Sequence, residues 1–481
     1  MRPDGLDEHF YFGGGSSTNI SALGVCILVL ACLLIFLLRR KWMIVPFVVV
    51  TLLMPVGQVV LVLGAHLSIW RFLLLVAWIR ISWIAFITKK EPFPGPLNQL
   101  DKLFISWAIC NAIAYTILWS DLGALNNRLG FLYSGVGTYF LLRYLVRDRE
   151  DVIRAIRLLA LVSVPIAIAM AIEHSTGRNL FSMLGGLDQF SAVRNGRVRA
   201  QGPFLHAIVA GTFGAVLLPL FVGLWQQGKG HRLRAAMGIV ASTVIVVSSA
   251  SSTPLMAYVA AVIGLCFWPL RRSLQLVRWT AVFMLIALQL AMKVPIWFLM
   301  NRISAITGGT GWHRAELIDQ FVRRFFEWFL IGTRNNANWG LDMWDSINAY
   351  VRAGVEGGLV TLILFLSMLI IGFKRIGRAR KLSESETGTG NERLFWAMGV
   401  TLFSNCIAFL GIIYFDQSAV AWYLTLVMIS VMTALVLGEN RSAQPETVAA
   451  LSTRRTARLP LAKREPSASP VQQYGSRRLR P

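Results

Sequence analysis

Long apolar stretches constrain this chain more than any other feature of its sequence. A helix that crosses the hydrocarbon core of a bilayer needs about 20 mostly apolar residues, and about thirteen such stretches follow one another here. Charged residues make up only 15% of the 481 residues, whereas an average soluble domain has about 25%. The predicted fold is therefore all-α, a polytopic integral membrane domain over 20–440. The predicted spans are 20–38, 43–63, 67–87, 103–119, 129–146, 155–172, 203–225, 235–249, 253–270, 280–299, 348–373, 395–414 and 419–437.

The distribution of charge predicts how these spans are oriented. The segment 1–19 is Gly-rich and slightly acidic and Arg39–Lys41 is basic, so the first span is not a secretory signal and the N-terminus is expected outside. About 32 of the 47 Lys and Arg then fall in cytoplasmic segments and about 11 outside. The run Ser248–Pro254 is either a tight hairpin or a break within one helix. A count of about twelve spans would break the charge alternation, so thirteen spans and a cytoplasmic C-terminus are preferred.

The net charge of +23 fits nucleic acid, anionic lipid or topology, and the positions of the charges favour topology. The segment 441–481 is basic and rich in Ser, Pro and Gln, which predicts a disordered cytoplasmic tail beside anionic membrane lipid; binding of a partner protein is the alternative. No nucleic-acid partner is expected. The six histidines lack the spacing of metal ligands, and no Walker motif is present, so neither a metal nor another cofactor is expected.

Three arginines lie on the outer side, directly before the seventh span. Arg194, Arg197 and Arg199 oppose the inside-positive bias, so topology does not explain them. Guanidinium groups bind phosphate bidentately, which predicts a site for an anionic substrate group. The alternative is a set of interfacial arginines bound to lipid phosphates.

The longer outer segment, 300–347, is predicted to be a large loop that carries a surface helix. It begins with Arg302 and a Gly-rich turn, and aromatic residues then recur at helical spacing over 312–330, which predicts an amphipathic helix on the membrane surface. Most of this helix fits a lid packed by its aromatic residues. Arg314, beside His313 at the start of the helix, is the best candidate for a binding role.

Four polar residues follow this loop at spacings of three and four. Asp345, Asn348, Arg352 and Glu356 would share one face of a helix that enters the membrane. Arg352 and Glu356 can form an ion pair at i,i+4. A pair at that depth either holds helices together or faces a water-filled cavity.

Three of these segments resemble the bacterial O-antigen ligase and polymerase family. Arg199-Ala-Gln-Gly-Pro-Phe-Leu-His206 resembles the Arg-x-x-Gly-(Thr/Pro)-Phe-x-His element of that family. Gly311-Trp-His-Arg314 resembles the start of its large periplasmic loop, and Asp345-Ser-Ile-Asn348-Ala-Tyr350, which continues into Gly354-Val-Glu-Gly-Gly358-Leu, is similar to the segment after the loop. The resemblance covers most of the chain.

The resemblance implies a metal-independent glycosyltransferase of the bacterial inner membrane that acts in exopolysaccharide or O-antigen biosynthesis. Its substrate would be an undecaprenyl-diphosphate-linked oligosaccharide, transferred at the periplasmic face to an acceptor hydroxyl. Membrane lipid, a chain-length regulator and export proteins would be its partners. Ligases carry His-Asn where this chain has Ile347-Asn348, and this departure favours a polymerase.

With this resemblance, we assign Arg199 and Arg314 to the diphosphate and Asp345 to the base. Asn348 and Tyr350 would position sugar hydroxyls, and His206 and His313 are alternatives for the missing ligase histidine. The predicted substrate contacts are Arg197, Arg302, Asn348, Tyr350, Arg352, Glu356, His206 and His313. The alternative functions are a ligase that transfers the glycan to lipid A core, a lipid-linked oligosaccharide flippase, and an assembly partner in an export complex.

Overall fold

The computed structural model describes residues 20–62, 65–89, 91–93, 95–301, 311–344, 346–384 and 390–439. The predicted N-terminal segment 1–19 and the predicted tail 441–481 lie outside the described residues, as do Arg302 and Asp345.

The described chain is mostly helical. Its only strands form two short antiparallel hairpins, β1 Val59–Val62 with β2 Ala65–Ser68 and β3 Val193–Arg194 with β4 Arg197–Val198. The α-helices are α1 Ala22–Leu37, α2 Arg40–Leu53, α3 Ile69–Thr88, α4 Gln99–Trp119, α5 Leu122–Leu145, α6 Arg149–Thr176, α7 Ala207–Trp225, α8 Arg232–Ser248, α9 Ser252–Cys266, α10 Leu274–Ala291, α11 Gly311–Arg323, α12 Phe325–Trp328, α13 Ala349–Glu384, α14 Asn391–Ala408 and α15 Ser418–Val436.

Eight helical segments of the described chain are long and apolar enough to cross a membrane. They are Ile69–Thr88, Gln99–Trp119, Arg149–Thr176, Ala207–Trp225, Lys229–Ser248, Trp268–Ala291, Ala349–Glu384 and Ser418–Val436. Helices α1 and α9 are apolar but shorter. The all-α, membrane-embedded class is therefore confirmed, whereas the count of thirteen spans stays a prediction.

Some predicted span boundaries were wrong. The second stretch, 43–63, is helical only to Leu53, because Pro55 and Gly57 follow and the chain turns into the β1–β2 hairpin. The tenth, 280–299, is shifted: α10 begins at Leu274 and ends at Ala291, before Pro295. Helices α8 and α9 are separate, divided at Ser249–Ser251, where Ala250 adopts a left-handed φ of 43°.

Helices α7 and α15 form the centre of the bundle. In the most apolar 18 residues of each of these two helices, 89% of the residues are buried, whereas no residue of α10 is buried. Helix α7 packs against α8, α9 and α14, and α8 also packs against α6. These helices therefore form one tightly packed group.

The predicted surface helix is broken into α11 and α12 at Arg324, and its apolar side contacts protein. Phe321 stacks on Trp328 with ring centroids 3.9 Å apart, and both pack against Gly354 of α13. A Cβ atom at Gly354 would lie 2.5 Å from Phe321 Cζ. The packed-lid interpretation thus accounts for this face, and α11 is held against α13.

The segment Phe329–Thr333, which follows α12, binds to α13 at a break in that helix. Gly358 has a φ of 73°, which interrupts the helix, so nearby backbone groups need partners outside it. Thr333 donates its N–H to Val355 O at 2.9 Å, and Leu359 donates to Phe329 O at 2.8 Å. The segment after α12 thereby supplies the missing hydrogen bonds of α13.

Candidate functional site

The segment Arg199–His206 leads into α7 and is held at one end by Glu173 of α6. The carboxylate of Glu173 is fully buried and accepts hydrogen bonds from Gln201 N at 2.9 Å and Gly202 N at 2.8 Å. It also accepts one from Ser191 Oγ at 2.6 Å. All of these bonds fix backbone or a neutral side chain, so the negative charge of Glu173 fixes the loop without pairing with an arginine.

The other end of this segment is held by the link between α14 and α15. The buried carboxylate of Asp416 accepts hydrogen bonds from Leu205 N at 3.2 Å and Ser418 N at 2.8 Å. Gln417 Nε2 donates to Pro203 O at 2.6 Å. Burial raises the pKa of Asp416, and the hydrogen bonds oppose that shift. The loop is thus fixed from two distant parts of the chain.

Arg199 and Arg314 converge on the start of α9. Arg199 Nη2 lies 3.0 Å from Ser251 Oγ, and Arg314 Nη1 lies 3.2 Å from Ser252 Oγ. Arg314 is only 4% exposed. A Cβ atom at Gly411 would lie 3.0 Å from Arg314 Nε, so the α14–α15 link passes directly beside this guanidinium group. The two arginines to which we assigned the diphosphate are therefore brought together, although 115 positions separate them.

The positive charge at this point is not neutralised within the described residues. Neither Arg199 nor Arg314 forms an ion pair there. Three buried atoms here have no hydrogen-bond partner among the described residues. They are Arg199 Nε, Arg314 Nε and the neighbouring Thr253 Oγ1. A buried cation without a counter-ion costs several kcal/mol, on the order of 3–5. The geometry thus favours an anion at these atoms.

Burial and the neighbouring positive charges both disfavour the charged form of these arginines. Burial, followed by the charges of Arg194 and Arg199, lowers the pKa of Arg314 to about 10. Burial and then Arg194 lower the pKa of Arg199. The Arg314 group still carries its proton at neutral pH. The N-terminus of α9 adds a partial positive charge, because its first N–H groups have no partner within the helix.

His206 lies at the N-terminus of α7, beside the candidate site. Its Nδ1 accepts from Ile208 N at 3.3 Å as the N-cap of α7. Part of the His206 side chain is exposed to solvent. The imidazole ring is nevertheless desolvated by the surrounding protein, and this desolvation, followed by the charge of Arg199, lowers the pKa of His206 to about 4. At neutral pH the ring is uncharged, and the proton lies on Nε2 because Nδ1 accepts. The role of His206 at the site stays a prediction.

Other predicted residues are less closely tied to this point. Arg197 is exposed on β4, and its backbone pairs with that of Arg194 in the hairpin. His313 precedes Arg314 on α11 and is therefore turned about 100° away from it around the helix axis. The roles of Arg197 and His313 stay predictions.

Asn348 and Tyr350 connect α13 to the end of α14. Asn348 is fully buried, and its Oδ1 accepts from Tyr350 N at 2.9 Å and from Val351 N at 3.2 Å, as an N-cap does. Its Nδ2 donates to Leu410 O at 3.1 Å. Tyr350 donates its hydroxyl to Cys406 O at 2.9 Å. These bonds place Leu410, and hence the next residue Gly411, beside Arg314; contacts to sugar hydroxyls stay a prediction.

Arg352 and Glu356 form the expected pair, with Nε and Oε1 2.6 Å apart. Arg128 of α5 is a second partner that the sequence did not indicate, with its Nη1 3.2 Å from Glu356 Oε2. Its guanidinium carbon also lies 3.5 Å above the Tyr115 ring. This trio is a separate cluster: among the described residues, it has no hydrogen bond or ion pair to Arg199 or Arg314.

Sequence reasoning missed Glu173, Asp416, Ser251 and Ser252. The run Ser248–Pro254 indicates a break between spans, but a Ser-rich segment before a helix also predicts a polar helix N-terminus. The two carboxylates gave no local signal, because their partners are distant in the sequence. No cluster of metal-ligating side chains occurs within the described residues.

Comparisons with known proteins add no further constraint on the site. No protein-family model matches the chain, and no curated protein matches it. What the chain does therefore has to follow from its own residues and their geometry.

Proposed function

We propose that this chain is a glycosyltransferase of the bacterial inner membrane that joins undecaprenyl-diphosphate-linked oligosaccharide repeat units at the periplasmic face. The observation that carries the proposal is the convergence of the buried Arg314 and the half-buried Arg199, without a carboxylate partner among the described residues. The resemblance of the segments around them to the O-antigen ligase and polymerase family supports the same substrate class.

The arrangement fits a diphosphate leaving group. In such a transfer, an acceptor hydroxyl oxygen attacks the anomeric carbon, the bond from that carbon to the diphosphate oxygen breaks, and the diphosphate takes the electron pair. Negative charge therefore grows on the diphosphate, and fixed donors directed at it lower the barrier. Arg199, Arg314 and the N-terminus of α9 supply such donors. We assign the hydroxyl proton to Asp345 on the sequence pattern.

The proposed topology agrees with the meeting of these segments. With thirteen spans and an outside N-terminus, the α6–α7 link and the segment that carries α11 lie on the same, periplasmic side. A site built from Arg199 and Arg314 requires that both residues lie on the same side of the membrane. The lipid diphosphate would enter from the membrane, and its sugar would extend into the periplasm.

The proposal is tested with purified protein in lipid vesicles and an undecaprenyl-diphosphate-linked repeat unit, with products sized on a gel. We expect a ladder from the unaltered protein. Arg199→Ala and Arg314→Ala should each lower the rate about 10²–10³-fold, as expected for removal of a fixed donor to a developing charge. Arg178→Ala, which alters an exposed arginine stacked over Phe190, is the matched control and should leave the ladder intact.

Two results would contradict the polymerase proposal. A full ladder from both Arg199→Ala and Arg314→Ala would remove these residues from the mechanism. Single-step transfer to lipid A core without a ladder would make the protein a ligase with the same diphosphate site.

A further inference from the structure

A wholly apolar groove runs between α6 and α8. Its volume is about 480 Å³, and no polar atom is exposed in its lining. Ala167 and Ala241 are buried at its floor. The lining residues are Val164, Ala167, Ile168 and Ala171 of α6 and Ala236, Met237, Val240, Ala241 and Val244 of α8. Small side chains on both helices thus leave a channel along the lipid-facing side of the pair.

One end of this groove lies directly below the arginine-bearing loop. Ala171 is two residues from Glu173, which binds Gln201 and Gly202, and Val244 is four residues from Ser248. Ser248 O accepts a hydrogen bond from Ala200 N at 3.1 Å. The loop therefore bridges the two helices that form the walls, and Arg199 lies at the bridge.

We propose that this groove binds the isoprenoid chain of the lipid diphosphate, in the part of the chain nearest the headgroup. The inference rests on the proposed function, because the headgroup would be held by Arg199 and Arg314. The position of the groove favours this occupant, because one end of the groove lies beside the loop that carries Arg199. The isoprenoid chain of a lipid whose diphosphate binds Arg199 and Arg314 would therefore begin at that end. From Val164 to Ala171 the groove follows about 10 Å of helix, which matches a few isoprene units.

The physical source of selectivity is packing. Lipid tails are as apolar as the groove, so transfer from bilayer to groove gains nothing from the hydrophobic effect. A chain with methyl branches can fill the spaces beside Ala167, Ala171, Ala236 and Ala241, and each filled gap restores van der Waals contact. Attachment to a bound headgroup keeps the chain close to the groove.

Photo-crosslinking tests this placement without requiring transfer. A C55 polyprenyl diphosphate with a diazirine in its first isoprene units is bound to the protein in phosphatidylethanolamine and phosphatidylglycerol vesicles. We expect labels in 164–171 and 236–244 that are displaced by unlabelled polyprenyl diphosphate and not by added phosphatidylglycerol. Equal labelling of α10, or displacement by phosphatidylglycerol, would show that bulk lipid fills the groove and would overturn the inference.

Substitutions in the groove give a second, kinetic test. Ala171→Trp and Ala236→Trp should raise the KM for the C55-linked donor roughly tenfold, or about 1.4 kcal/mol, with little change for a donor that has a single isoprene unit. Ala281→Trp on α10, a helix without buried residues, is the matched control. If the unaltered protein transfers sugar but the groove variants behave like Ala281→Trp, the groove inference alone fails. Absence of transfer from any donor would instead contradict the proposed function.

Discussion

At the scale of single residues, the two described carboxylates that hold the arginine-bearing loop, Glu173 and Asp416, bind only neutral groups. Glu173 and Asp416 accept hydrogen bonds from backbone N–H groups of the segment 201–205, and neither pairs with Arg199 or Arg314. Three buried polar atoms of Arg199, Arg314 and Thr253 have no partner in the described chain. The acids therefore build the loop, and the positive charge is left for a ligand.

The titration of His206 gives a prediction about stability. Its pKa is lowered from 6.5 to about 4 in the folded protein, so the unfolded chain binds more protons between these values. The free energy of unfolding should therefore fall as the pH falls from 6.5 towards 4. Thermal unfolding in detergent at pH 7 and pH 4.5 measures this change.

His206→Asn is the matched variant for this measurement, because asparagine also caps a helix but does not titrate in this range. We expect a smaller loss of thermal stability between the two pH values in the variant than in the unaltered protein. Identical losses would show that His206 does not carry the effect.

At the scale of elements, the site depends on loops fixed to helices that come from different parts of the chain. Helix α11 carries Arg314 and packs through Phe321 on Gly354 of α13. The loop that carries Arg199 is bound to the end of α6 and to the α14–α15 link. The distance between the two arginines is therefore set by how these helices pack, and single positions in them should alter it.

Glu173 is the sharpest test of the loop. Glu173→Ala leaves the amides of Gln201 and Gly202 buried without acceptors, at a cost of about 1–3 kcal/mol for each group. We expect faster hydrogen exchange across 199–205 and a lower kcat. Glu150→Ala, at the other end of the same helix and exposed, should change neither. Unchanged exchange in Glu173→Ala would show that the loop is held without this carboxylate.

Gly358 tests the break in α13. Its φ of 73° favours glycine, and an added Cβ atom would lie 2.3 Å from Leu330 O. Gly358→Ala should therefore lower the free energy of unfolding by at least about 1–3 kcal/mol, measured by thermal unfolding in detergent. Gly377→Ala in the same helix has open space around the new methyl group and should be neutral or slightly stabilising. Equal stabilities of the two variants would contradict the strain at Gly358.

At the scale of the whole molecule, hydropathy predicted the helical membrane class but not every boundary or contact. The strongest apolar stretches became α6, α7, α13 and α15. Helix α5 is long but less apolar than these helices, and it carries Arg128 and Arg143 in buried positions. Pairings such as Asp416 with Leu205 join residues that are 211 positions apart, and no local pattern encodes them. Charge placement nevertheless singled out Arg199 and Arg314, which the fold brings together.

The topology can be tested with single cysteines and a membrane-impermeant maleimide. Arg197→Cys should react in intact spheroplasts, whereas Lys229→Cys in the α7–α8 link should react only after the membrane is permeabilised. The five native cysteines are replaced by alanine for this assay. Labelling of both positions from the same side would contradict the predicted orientation.

The break at Gly358 also bears on how the protein is made. Phe329–Thr333 precedes α13 in the chain, so it leaves the ribosome before the helix whose open backbone groups it satisfies. Without that segment, Val355 O and Leu359 N would enter the bilayer unpaired, which is costly in hydrocarbon. We therefore expect α13 to reach its final position in the bilayer only once the preceding segment Phe329–Thr333 can bind to it.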